Sequence, residues 1–194
     1  MPPTTHEATA EAVSRAADWR RAQPFADFLP TAEENADLWR QTYERAAVPA
    51  DLVARVERLP GLWRLLVLSE DWCGDAANTV PVLAAFADAA QNVELRLLAR
   101  DENATLMDEH LTNGSRSIPV VIVLDGDGQE HGWWGPRPAD LQAWVMTEGK
   151  GMEPGPRYRE VRKWYARDKG RTTLEEVVRL LERQAGTDRP GGAA

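Results

Sequence analysis

The rhythm of apolar and polar positions changes along the chain, and that change divides it. Residues 62–68 form a nearly continuous apolar run, which predicts a strand buried on both faces. Residues 93–99 and 119–124 predict two more strands. A fourth is expected at 129–134, joined to the third by the tight turn Asp125-Gly126-Asp127-Gly128. Between the strands the period lengthens. Val80, Leu83, Ala84 and Ala87 share one face of a helix over residues 75–90, with Pro81 inside it as an expected kink. A short helix is expected within 103–111. Another begins near Pro138, with Leu141, Trp144 and Val145 at i, i+3 and i+4. The order β-α-β-α-β-β-α contains one parallel crossover and ends in an antiparallel hairpin. It predicts an α/β architecture: a mixed four-stranded sheet with helices on both faces.

The flanks read as helical extensions. Residues 8–22 are rich in helix formers, and Pro24 stops them. Thr31 and Glu34 have the spacing of a capping box ahead of a helix carrying Leu38, Trp39 and Tyr43. Pro49 opens a third helix with Leu52, Val53 and Val56. After Gly155 the chain is basic and helical to Lys169, and Gly170 ends that segment. Thr172 and Glu175 are expected to cap a last helix whose Leu174, Val177, Val178 and Leu181 make an apolar face. These faces need covering. Residues 1–60 and 150–194, the latter ending in a frayed tail, are therefore expected to pack on a core of 61–149 rather than to stand apart.

Composition narrows the class of function. A net charge of -8 argues against a general nucleic-acid binder, which needs a basic face. No apolar stretch is long enough to cross a bilayer, and the first thirty residues lack the apolar segment of a signal peptide. One cysteine excludes an internal disulfide and points to a reducing compartment, so a cytoplasmic location is expected.

That cysteine, Cys73, sits in Ser69-Glu70-Asp71-Trp72-Cys73-Gly74-Asp75-Ala76, between a predicted strand and a predicted helix. A thiol at a helix start is favoured as thiolate by unpaired backbone N–H groups. Glu70, Asp71 and Asp75 crowd the same turn and oppose this, and no cation lies beside Cys73 in sequence. His131 is a possible partner through the fold. Asp75 is explained by helix-dipole stabilisation alone.

Other features carry less chemistry. Trp133 and Trp134 lie on one predicted strand, so one ring points in and the other out. The basic run Arg157, Arg159, Arg162, Lys163, Arg167, Lys169 and Arg171 could bind a phosphate or an acidic partner, but a solvated helix face, or one docked on the acidic N-terminal helices, explains it more simply. His6, His110 and His131 are scattered and make no metal signature. The Asp125–Gly128 turn lacks the later glutamate of a calcium loop.

Taken together, these motifs resemble the thioredoxin superfamily over roughly residues 62–149. Trp72-Cys73-Gly74-Asp75 stands where members carry Trp-Cys-Gly-x at the end of the first core strand. Pro81 matches the helix proline eight residues after the cysteine. Ile118-Pro119 matches the cis-proline before the third core strand, and Gly132 or Gly135 the glycine before the last helix. Bacterial thioredoxin-like proteins with an N-terminal helical extension and a Glu-Asp-Trp-Cys-Gly-Asp signature are the nearest likeness. Two departures stand out. Ala76 replaces the second cysteine, and Val67 replaces the buried acid that serves it.

The resemblance implies a nucleophile at Cys73 and a substrate groove built from Trp72, Gly74, Asp75, Ile118 and Pro119. Two readings follow. In the first, Cys73 is a monothiol that exchanges with a protein disulfide or a small-molecule thiol, with a low-molecular-weight thiol as co-substrate and no bound cofactor. In the second, the groove binds a protein partner and is redox-inactive. Neither a substrate nor an oligomeric state follows from the sequence.

Overall fold

The protein, represented by a computed structural model, is described over residues 5–7 and 13–187. In chain order its main elements are β1 (Thr5–Glu7), α1 (Ala16–Arg21), β2 (Gln23–Pro24), α2 (Phe25–Phe28), α3 (Ala36–Glu44) and α4 (Ala50–Glu57). Then come β3 (Trp63–Ser69), α5 (Gly74–Ala89), β4 (Val93–Ala99), α6 (Ala104–Asp108), β5 (Val120–Asp125) and β6 (Glu130–Trp134). The chain closes with α7 (Ala139–Met146), α8 (Pro154–Asp168) and α9 (Arg171–Thr187). Among the described residues no helix is long and apolar enough to cross a membrane.

The apolar run at 62–68 is the centre of the sheet. β3 pairs parallel with β4 and antiparallel with β5, and β5 pairs antiparallel with β6. Leu65, Leu66, Val67 and Leu68 are fully buried, which is why this strand shows no alternation. The sheet has six strands, ordered β1-β6-β5-β3-β4-β2, where four were expected. The two additions are edge strands of three and two residues, too short to show a period. β1 lies on β6, with the His6 ring stacked on Trp133 at 3.8 Å. β2 lies on β4 and carries Pro24, which an edge strand tolerates because one side of its backbone has no ladder partner.

α5 packs on β4, α9 packs on β6, and the two touch each other, so both lie on one face of the sheet. Val177, Val178 and Leu181 of α9 are fully buried, as are Val80, Leu83 and Phe86 of α5. Both tryptophans of β6 are buried, which corrects the expectation that one ring points out. Trp134 turns toward α9 and donates its indole N–H to Glu176 at 2.7 Å. Trp133 points to the opposite face, where His6 and His110 cover it.

Local contacts override three expected helix starts. In the described part of 8–22 the helix begins only at Ala16, while residues 8–12 lie outside the described residues. Ser14 bridges Gln129, and Arg15 is drawn into ion pairs with Glu130 and Glu109, so the backbone there follows the hairpin. Thr31 does not cap α3. Its hydroxyl donates back to Phe28, and the backbone N–H groups of Glu33 and Glu34 donate to Asp71. Thr172 lies inside the first turn of α9, where its backbone N–H and hydroxyl donate to Asp168. The α8–α9 turn runs through Gly170 at φ +80°, and a Cβ there would lie 2.6 Å from a Val82 methyl of α5.

Candidate functional site

The loop from Glu70 to Cys73 leaves the end of β3 and is anchored on both sides. Asp71 accepts from Glu33 and Glu34 through its carboxylate, at 2.9 and 3.0 Å. Its carbonyl accepts from Trp39 Nε1 at 2.9 Å and Asn35 Nδ2 at 3.1 Å. Glu70 accepts from the Asp101 backbone N–H at 2.8 Å. The acids that crowd this turn in sequence are thus spent on holding it. Trp72 stays 43% exposed, with the Arg100 guanidinium over its ring at 4.9 Å.

Cys73 precedes the first turn of α5, and its carbonyl accepts from Ala77 N–H. The residue is only 8% exposed. The Sγ lies 3.5 Å from the carbonyl oxygen of Ile118, close enough for the thiol to donate a hydrogen bond. Ile118–Pro119 is a cis peptide, as is Gly135–Pro136. The structure therefore brings Cys73, Ile118 and Pro119 together, but all three are buried, and of the expected groove residues Trp72 and Gly74 are the exposed ones. Ala76 and Val67, where relatives would carry a second thiol and an acid, are both fully buried.

The electrostatics oppose a thiolate. Burial pushes the Cys73 thiol up, and the Asp75 charge pushes it further. Backbone N–H groups of Ala76 and Asp75 and the Arg137 charge act the other way without prevailing. The helix-start effect expected from sequence is present but outweighed.

Asp75 is the hub of a half-hidden network. Arg137 pairs with its Oδ2 at 2.5 Å, and the Tyr165 hydroxyl donates to its Oδ1 at 2.9 Å. Arg137 also donates to Gln142 at 3.0 Å, and its Nε–H has no acceptor among the described residues. Burial and then the Asp75 charge hold the Tyr165 phenol well above its ordinary range. Arg137 is kept firmly charged: burial opposes this, and Asp75 outweighs it. Sequence reasoning missed Arg137 and Tyr165. Arg137 sits between Pro136 and Pro138, a stiff turn able to aim one side chain, and Tyr165 follows Tyr158 and Val161 on one helical face. His131 is not part of the site. It pairs with Asp125 at 3.0 Å and packs edge-on to Trp63.

Among the described residues no group of three or more His, Cys, Asp or Glu side chains converges as metal ligands would.

A thioredoxin family model, Thioredoxin_9, matches residues 22–152. The chain belongs to this thioredoxin family. Two solved structures share the thioredoxin-like fold. One is an HIV epitope-scaffold, 19% identical with a TM-score of 0.70, the match covering 88% of this chain and 99% of that one. The other is the 1.5 Å structure of PA1234, a protein of unknown function from Pseudomonas aeruginosa. It is 22% identical with a TM-score of 0.69, over 88% of this chain and 98% of its own. No curated protein matches the chain. Within this thioredoxin family the site described here has one sulfur and no resolving thiol.

Proposed function

We propose that this thioredoxin-like protein is a redox-silent binding module, in which the surface around the exposed Trp72 and Gly74, over the buried Ile118–Pro119 peptide, receives a protein partner. The observation that carries this reading is the state of Cys73. Its sulfur is nearly covered, directed at the Ile118 carbonyl and held toward the thiol form. A protonated thiol is a poor nucleophile. The exposed Trp72, braced by Arg100, supplies the kind of rigid aromatic anchor that interfaces use.

Alkylation tests this directly. The rate of iodoacetamide labelling of Cys73 against pH is expected to give a midpoint above the ordinary thiol value of about 8.5. Incubation with oxidised glutathione is expected to leave the intact mass unchanged. A midpoint below that value, together with a stable glutathione adduct, would overturn the reading.

The second reading, monothiol exchange, is favoured by one observation: the backbone N–H groups of Asp75 and Ala76 and the Arg137 charge all act to stabilise a thiolate. In that reaction the Cys73 thiolate attacks a partner disulfide and forms a mixed disulfide while the other sulfur leaves as thiolate. A second small thiol then releases the captured sulfur and leaves as part of a new disulfide. The same labelling experiment separates the two readings.

A further inference from the structure

The surface beside α5 contains a concavity of about 310 Å³, walled by α3, the start of α5, α7 and α8. Its apolar lining comes from Leu38, Val145 and Val161, and its polar lining includes Asp75, Arg137, Arg157 and Arg162. The charges there do not balance. Asp75 is committed to Arg137 and Tyr165. Arg157 makes only a contact over the neighbouring Tyr158 ring, at 5.3 Å, and neither Arg157 nor Arg162 has a carboxylate partner among the described residues. Two uncompensated guanidiniums thus share one cavity in a chain whose net charge is -8. On a convex helix face such residues would simply be solvated. Inside a concavity with apolar walls their field is focused on whatever enters.

We infer that this cavity binds a small organic anion, with its carboxylate or phosphate gripped by Arg157 and Arg162 and its apolar body against Leu38, Val145 and Val161. Guanidinium forks suit both oxyanions through paired, charge-assisted N–H donors. The volume lies at the lower end of the range for small-molecule sites. The basic run that reads in sequence as a solvated face therefore divides. Arg157 and Arg162 turn to the cavity, while Lys163 pairs with Glu160 and Arg171 with Glu175. The inference is independent of Cys73 reactivity, because no lining group needs the sulfur.

Calorimetric titration of the full chain with phenyl phosphate, phenylacetate and inorganic phosphate tests it. Saturable binding of at least one of the two aromatic anions is expected, tighter than inorganic phosphate, and the comparison between them identifies the preferred oxyanion. The Arg157→Gln/Arg162→Gln variant is expected to weaken that binding about tenfold or more, as loss of charge-assisted donors requires. An Arg159→Gln/Arg167→Gln variant, altering exposed arginines of α8 outside the cavity lining, is expected to bind as the parent does. Circular dichroism confirms that each variant is folded. No saturable heat up to about 20 mM anion, or equal weakening in both variants, overturns the proposal.

Discussion

The Tyr165 hydroxyl donates a 2.9 Å hydrogen bond to Asp75 Oδ1, tying α8 to the first turn of α5 two residues after the cysteine. The residues concerned are 90 positions apart. Through this bond and the Arg137 pair, the carboxylate that most directly burdens the Cys73 thiol is fixed in place.

Replacing Tyr165 by Phe removes the donor and keeps the ring. A largely covered carboxylate oxygen then lacks its partner, so stability is expected to fall by about 1–3 kcal/mol. Urea unfolding measures this. An unchanged midpoint would show that water replaces the hydroxyl at no cost.

Asp75→Asn separates charge from shape. The repulsion on Cys73 disappears while the Arg137 attraction remains, so the pH of half-maximal alkylation is expected to move down. Arg137 loses its counter-charge, and a stability loss of about 2 kcal/mol is expected, less than for a fully buried pair. If the labelling curve does not move, Asp75 has no electrostatic hold on the sulfur.

Asp71 anchors a segment remote in sequence, just ahead of α3. Asp71→Ala frees the Glu33 and Glu34 N–H groups and is expected to cost about 1–2 kcal/mol in urea unfolding, whereas Asp71→Asn, which keeps an acceptor, should cost less. Equal losses in the two variants would contradict the anchoring role.

At the other end of the sheet, His6 confers an acid sensitivity. Burial first, and the His110 charge second, hold its imidazole below the ordinary value. A depressed histidine favours the folded state fully above the unfolded value of about 6.5, and that contribution is lost as pH falls from there through the lower folded value. Glu130 is also depressed. Burial would raise it, but hydrogen bonds with His110 and Arg15 outweigh burial, so its contribution is lost further down, below the ordinary carboxylate value of about 4.3. The urea midpoint is expected to decline between pH 7 and about pH 5 in the parent. His6→Phe keeps the stack on Trp133 and is expected to flatten that first decline. An identical slope would remove His6 from the account.

The central strands, α5 and the meeting of Cys73 with Ile118–Pro119 were legible in the sequence because each leaves a local trace. β3 shows as an unbroken apolar run, and the site shows as short motifs in fixed order. What was not legible depends on distant partners. β1 exists because His6 finds Trp133, and α3 begins after Asn35, which turns through φ 53° behind a stretch that Asp71 holds, rather than where Thr31 has the right spacing. Arg137 and Tyr165 show their roles only once α7 and α8 fold back over Asp75. The suppression of thiolate character was half legible. The acids were visible, but the burial that dominates was not.

The close approach at Gly170 bears on where this molecule can be cut. The family match ends at residue 152, yet α8 and α9 press onto α5 so tightly that hydrogen alone fits between Gly170 and Val82. A truncation at that family boundary would strip the cover from α5 and β6 and leave Asp75 without its phenol. The shortest fragment expected to behave as an autonomous folding unit is therefore longer than the family match alone, and the C-terminal helices are structural walls rather than trim.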